Sequence, residues 1–282
     1  MPSHVRRAAA AAVMVLIPLV ASSALTPLAG WSGTAGATGT GPAAGAGAAG
    51  STWAGYFFPL KVGWTCHETL TGSGATGSET LTVAAVGRVP QGRSVTVTEG
   101  SSSTADGTSV PTNAALHYVL NDKGQLISVP SGLQVGGQPY SISGDTTYPS
   151  VRTLLSGGSA VSRLHIAAPL SAADRAELQA VLPANATALD MAVDLAQRGG
   201  ELGTLQTSLG TFHHVLTVHS MVQAIAFTNV NKAASKQLAA AIKPILAKEL
   251  SVMTWYAPGV GPIKTSTDGF TSTITSCGPA AG

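Results

Sequence analysis

The chain contains two cysteines, Cys66 and Cys277, and between them lies nearly all of the sequence that could fold. No Cys-x-x-Cys occurs, and neither cysteine lies in an electropositive segment. In an oxidising compartment such a pair is expected to be bridged rather than free. The bridge would span 211 positions. The chain-entropy treatment assigns roughly 5 kcal/mol to a loop that long, an amount that strain or residual denatured structure reduces. It also constrains topology, because the first and last strands of the domain must then be neighbours.

That argument needs an oxidising compartment, and the N-terminus supplies the reason to expect one. Met1-Pro-Ser-His-Val-Arg-Arg7 precedes an apolar run, Ala8–Ala21, and then Ser22-Ser-Ala24. A charged head, a short apolar body and a small-residue end read as a secretory signal, cut after Ala24 or after Ala37. The run is shorter than the ~20 residues needed to span a bilayer. No cysteine near the cut could take a lipid, so no stable membrane anchor is expected after signal removal. Arg6 and Arg7 leave with the signal and no acid does, so 15 Lys+Arg and 13 Asp+Glu become 13 against 13. A net charge near zero leaves no footprint for nucleic acid. Charged residues make up 10% of the chain, against a typical ~25%. The surface is therefore clothed in Ser, Thr, Gly, Ala, Gln and Asn, as suits an exported protein.

Residues 25–52 are almost entirely Gly, Ala, Thr and Ser. Such a segment cannot offset its ordering entropy and reads as a flexible linker. Residues 53–282 then form a single β-rich domain. Tyr56–Leu70, Glu79–Arg88 and Arg93–Glu99 read as strands, the last two alternating with period two. Ala115–Leu120 and Gln125–Val129 flank "NDKG", a hairpin signal. Val161–Ala167 and Thr187–Gln197 are further strands; Arg198-Gly-Gly-Glu201 reads as a turn into Leu202–Ser208. Thr211–Phe227 is a long strand, and Met253–Tyr256, Gly261–Thr265 and Phe270–Thr275 complete the set. Pro130–Ser159 reads as a long irregular region. Two helices interrupt. Ser171 caps one, with Asp174 at its third position. The other, Asn231–Leu250, carries Leu238, Ile242, Leu246 and Leu250 on one stripe, and Pro244 should kink it. The expected fold is α+β and mainly β: a curved antiparallel sheet, half-barrel-like, covered by one or two helices.

Chemistry is sparse. "GSGATG" (Gly72–Gly77) has dinucleotide spacing, but an alternating strand follows where a helix is required, so it reads as a hairpin loop. His213 and His219 lie about 20 Å apart along one strand, too far for one metal without a bend. His213 and His214 point to opposite faces. Acyl transfer needs a nucleophile, a base and an orienting acid, and no Gly-x-Ser-x-Gly occurs. Glycoside chemistry needs two carboxylates about 5–10 Å apart; Glu68, Glu79, Glu99, Asp190 and Asp194 are the candidates. No cofactor and no metal are expected.

Three segments, "YFFPLKVGWTC" (Tyr56–Cys66), "TSLGTFHHVLTV" (Thr207–Val218) and "TWYAPGVGPIKT" (Thr254–Thr265), occur in a distinctive order. Together they resemble a diffuse group of uncharacterised bacterial exported proteins and lipoproteins of the DUF3108-type and TapB-like kinds. More distantly they resemble the half-barrel of periplasmic lipid carriers. The motif residues are Trp255, Tyr256, Pro258, Gly259, Gly261 and Lys264. This chain departs from the pattern: it has Ser208-Leu209 where the turn often carries a proline, it lacks a lipobox, and it inserts Asn231–Leu250. The resemblance supplies no catalytic residue. The expectation is a secreted or cell-envelope protein that is not an enzyme. The alternative is a lipid or apolar-ligand carrier, with a groove between the sheet and Leu238, Ile242, Leu246 and Leu250.

Within the last motif, Pro258-Gly259 suits a turn, since Pro fixes φ at the second position and Gly tolerates positive φ at the third. Trp255 and Tyr256 should end a strand with their rings on opposite faces.

Overall fold

The computed structural model describes residues 52–72, 75–105, 108–109, 112–129, 133–135, 138–249, 251–267 and 271–279. The expected signal, nearly all of the expected linker and Leu250 lie outside them. The elements are α1 (Trp53–Tyr56), β1 (Trp64–Gly72), β2 (Ala75–Val89), β3 (Gly92–Ala105), β4 (Thr108–Ser109), β5 (Thr112–Asn121), β6 (Leu126–Val129), β7 (Leu133–Val135), β8 (Gln138–Ser143), β9 (Thr146–Tyr148), α2 (Val151–Leu155), β10 (Ser159–Pro169), α3 (Ala172–Leu178), β11 (Ala188–Thr207), β12 (Gly210–Phe227), α4 (Lys232–Glu249), β13 (Val252–Ala257), β14 (Gly261–Ser266) and β15 (Thr271–Pro279). The protein is mainly β, built on one large, curved antiparallel sheet that does not close.

The strand order is β7-β8-β10-β11-β12-β13-β14-β15-β1-β2-β3-β5-β6-β9, with β4 on β3. The ends of the folded region therefore meet in the middle of the sheet. Cys66 stands directly opposite Cys277 across β1 and β15. The two are disulfide-bonded, with Cα atoms 4.1 Å apart.

Most connections are hairpins of local chemistry. Gly72 pairs with Ala75, so "GSGATG" is indeed a hairpin. At "NDKG", Asn121 Oδ1 accepts the N–H groups of Lys123 and Gln125 at 3.1 and 2.8 Å. At the end of β13, the Val260 N–H donates to Ala257 C=O at 3.2 Å, and Gly259 has φ +73. This is the turn that Pro258-Gly259 predicts.

Three expectations need correction. Tyr56 ends a short helical turn, and the first strand begins only at Trp64. Arg198–Glu201 is not a turn but runs straight through β11, and the irregularity falls at Glu201–Thr204 instead. Opposite it, His214 of β12 has φ +55, and inward alternation breaks so that Phe212 and then both Val215 and Leu216 are buried. A bulge of this kind re-aims side chains while the ladder continues. Finally, Pro130–Ser159 contains β7, β8, β9 and α2 rather than a loop.

β11 and β12 are long enough to serve two cores. One half packs Leu189, Met191, Val193, Val222 and Phe227 against Leu178 of α3 and the α4 stripe. The other half carries Val215, Leu216 and Val218 into a core shared with β1, β2, β3, β5, β14 and β15. α3 starts at a capping box: Ser171 Oγ accepts the Asp174 N–H at 3.2 Å, and Asp174 Oδ2 accepts the Ser171 N–H at 2.9 Å. Leu238, Ile242 and Leu246 are 0–1% exposed. They fill the core and do not wall an open groove. Pro244 lies inside α4.

Candidate functional site

The three motif segments converge on one place, the aromatic plug at α1. Trp53, Tyr56, Phe57 and Phe58 are buried. The Trp53 ring meets Tyr256 edge-on with centroids 5.1 Å apart, and its indole N–H donates to Pro149 C=O at 2.7 Å. The Tyr56 hydroxyl donates to the carbonyl of His214, the residue at the bulge, at 2.9 Å. The Gly259 N–H donates to Gly55 C=O at 2.8 Å. Gly261, at φ +108, lies so close to Phe58 that a Cβ there would sit 3.1 Å from the ring. Trp255 and Tyr256 face opposite ways, as adjacent strand residues must. Tyr256 is buried, whereas Trp255 is half-exposed with the Lys264 ammonium 5.0 Å from its ring centroid. The motif residues thus join the start of the domain to its last strands by packing.

The candidate carboxylates divide. Glu68 and Glu79 stand directly opposite each other on β1 and β2, and Glu99 of β3 is diagonal to Glu79. Glu68 is 4% exposed, and the Ser272 hydroxyl donates to it. Burial pushes the Glu68 carboxyl up to about 7; the Ser272 hydrogen bond opposes this and the Glu99 charge adds to it. Burial pushes Glu79 up to about 9, with Glu99 and then Glu68 adding to it. Like charges this close cannot all ionise cheaply. An acid pair for glycoside cleavage must flank a substrate, whereas Glu68 is covered by protein. Asp194 lies outside this group, where Arg163 grips it through two hydrogen bonds of 2.6 and 2.9 Å. Those bonds hold its carboxyl below the usual range. Asp190 contributes its backbone N–H to Asn229 and its carbonyl to Thr228.

The histidines do not gather. His213 bonds Thr204 at 3.2 Å, and His214 meets Glu201 at 3.1 Å. Among the described residues no group of three His, Cys, Asp or Glu side chains could hold a metal ion.

One feature that sequence reasoning missed is a hollow of about 340 Å³ where the chain leaves α4 and enters β13. His219, Lys248, Ser251, Met253, Ser266 and Thr267 line it. His219 Nε2 and Ser251 Oγ share a hydrogen bond of 2.8 Å. Register explains the meeting: His219 pairs with Met253, and Ser251 lies two residues before Met253, toward the same side. Lys248 lies in the last turn of α4, where a cation also offsets the carbonyl end of the helix. In the sequence Ser251 is simply one more serine beside a strand; only the pairing of β12 with β13 marks it.

No family model matches the chain, and no curated protein matches it. The resemblance to DUF3108-type and TapB-like proteins therefore rests on the three motifs alone. Two solved structures are similar in fold. One is provisionally described as an exported protein with a YmcC-like fold from Bacteroides fragilis NCTC 9343 (TM-score 0.45, 11% identity, 79% of this chain and 99% of that one). The other is provisionally described as a lipoprotein from Parabacteroides distasonis ATCC 8503 (TM-score 0.42, 13% identity, 79% of this chain and 99% of that one). Likeness at this level describes the path of the chain alone.

Proposed function

We propose that the chain is an exported, disulfide-braced domain of the cell envelope or extracellular space that does not catalyse a reaction. The bridge between Cys66 and Cys277 carries this reading. Structural disulfides persist in oxidising compartments and are rare elsewhere, and the N-terminal signal pattern points to the same destination. The non-catalytic part is supported by where the distinctive residues go. The motif aromatics are spent on packing, and Glu68, the best-covered acid, faces Ser272 and Glu79. No observation favours the lipid-carrier alternative, because Leu238, Ile242 and Leu246 are enclosed by the core.

The test is expression of the full chain in a secreting bacterial host, followed by fractionation, N-terminal sequencing and thiol alkylation. The expected product is extracytoplasmic, begins at Leu25 or Thr38, and has no alkylatable thiol. Full-length chain retained in the cytoplasm with two reactive thiols overturns the export reading. Turnover of an ester, glycoside or peptide substrate that is lost in Ser251→Ala or Glu68→Gln overturns the non-catalytic one.

A further inference from the structure

We propose that a second hollow, between α1, the start of β3 and the β5–β6 turn, binds a zwitterionic α-amino acid with an apolar side chain. The inference does not depend on export. The hollow measures about 270 Å³, just below the roughly 300–1,000 Å³ typical of ligand pockets, and so suits a ligand of amino-acid size. Its floor is apolar, made by Trp53, Leu60 and Leu120. Two opposite charges, Arg93 and Asp122, also line it. Among the described residues no ion pair joins them, and neither side chain has a hydrogen-bond partner.

Local chemistry fixes where these charges stand. Arg93 pairs directly with Leu120 across β3 and β5, so it rises from the same sheet face as that buried leucine. Gly92 before it has φ +146, and a Cβ there would collide with Leu120 C=O. Glycine thus lets the start of β3 lie close against the end of β5. The Asp122 N–H donates to Gln91 C=O at 3.1 Å and ties the β5–β6 turn to the β2–β3 turn. Asn121 Oδ1 holds the first of these turns through the Lys123 and Gln125 N–H groups. Arg93 and Asp122 are therefore carried on two turns braced against each other.

The two charges match the two ends of one ligand head. A guanidinium takes a carboxylate through two parallel hydrogen bonds. Arg88 stands directly opposite Arg93 on β2, and like charges in that position repel. Among the described residues neither guanidinium has a partner, so a carboxylate held by Arg93 offsets the repulsion. Gln125 Oε1 accepts from Asn121 Nδ2 at 2.9 Å, which leaves the Gln125 amide N–H groups as donors for the same carboxylate. Asp122 is the acceptor for the adjacent ammonium, and its charge opposes a phosphate or other dianion. The side chain of the ligand then lies on the apolar floor.

The test is NMR titration of the oxidised full chain, observed at the backbone amides of Asn121, Gly124 and Gln125. The probes are leucine, isocaproate, isoamylamine and glycine; the last three drop the ammonium, the carboxylate and the apolar side chain in turn. Leucine should give a saturable shift with a Kd of about 1 mM, as suits a small ligand held by a few contacts. Each of the others should bind about tenfold more weakly, in line with loss of a charged hydrogen bond or of buried apolar area. Arg93→Gln and Asp122→Asn replace exposed side chains and should keep the folded amide spectrum. Arg93→Gln should weaken leucine to the level of isoamylamine, and Asp122→Asn to that of isocaproate. Absence of a saturable shift with leucine overturns the site. Isocaproate or isoamylamine binding as tightly as leucine overturns the zwitterionic class, and glycine doing so overturns the apolar floor. Leucine binding in either variant that equals binding in the unsubstituted chain overturns the role of that charge.

Discussion

Gln197 lies at the junction of the two cores. On its strand face, Leu195 packs at the edge of the α4 core, while Gly199 abuts Leu154 of the other. Gln197 is 0% exposed, and neither its amide oxygen nor its nitrogen has a hydrogen-bond partner among the described residues. A buried amide without partners costs roughly 1–3 kcal/mol relative to a satisfied one. Methionine has nearly the same length and no such demand, so Gln197→Met should raise stability by about 1–2 kcal/mol. Urea unfolding reads this as a higher midpoint with an unchanged slope. The opposed carboxylates give a second prediction. Glu68 and Glu79 hold their protons in the folded state up to about 7 and about 9, but release them near 4.5 when unfolded. Between those limits the folded state binds more protons than the unfolded one, so stability falls as pH rises. Urea midpoints should be higher at pH 4.5 than at pH 9, and Glu79→Gln should flatten the trend. A midpoint that rises with pH over this range would show that these acids ionise freely in the fold.

Among the elements, β9 and β10 decide how far the sheet curls. β9 ends the strand order, yet its Thr147 N–H donates to the Ser162 hydroxyl of β10 at 2.7 Å, and that hydroxyl reaches Thr147 C=O at 3.4 Å. One side chain stands in where a backbone ladder would close a barrel. Ser162 is 5% exposed, so Ser162→Ala strands a backbone N–H away from water, at a cost of roughly 1–3 kcal/mol. Hydrogen exchange at Thr147 should speed up more than exchange at Cys66. Equal change at both sites would mean that Ser162 does not latch this edge. Nothing in the sequence around Ser162 announces the latch. What was legible was chemistry confined to a few consecutive residues: the Ser171–Asp174 cap, the turn at Asn121–Gly124, the Pro258-Gly259 turn, and alternation along β2 and β3. What was not legible depends on partners far along the chain. Arg198-Gly-Gly-Glu201 has the composition of a turn, but ladder bonds to β12 hold it extended. Tyr56 looks like strand, but its hydroxyl is tied to His214 and its backbone is helical. The candidate site follows the same rule, since His219 and Ser251 lie 32 residues apart and meet only through the β12–β13 register.

At the scale of the whole molecule, the sheet is propagated in both directions from the β15–β1 seam. β1 continues through β2 and β3, and β15 continues through β14 and β13 to the long strands β12 and β11. The other pairings among these strands are hairpins, except β12 with β13, whose connection runs through α4 and is still far shorter than the one the seam closes. The seam joins residues 211 apart, and so carries the largest entropy of closure in the central sheet. The disulfide makes that closure permanent, and the chain-entropy treatment puts its effect at roughly 5 kcal/mol. The seam also has its own eight-residue register, Trp64↔Pro279 through Thr71↔Thr271, and Ile274 beside it is fully buried. The fold should therefore survive reduction but become much easier to unfold. Cys66→Ala with Cys277→Ala should lower stability by about 2–5 kcal/mol, while far-UV dichroism of the folded protein stays the same. Cys66 is 0% exposed, so part of that loss is packing; Cys66→Val with Cys277→Val refills some of the volume and separates the two contributions. Because entropy of the unfolded chain is the larger part, the Val pair should recover less than half of the loss. Full recovery would place the stabilisation in seam packing, and the bridge would then follow from the topology instead of enforcing it.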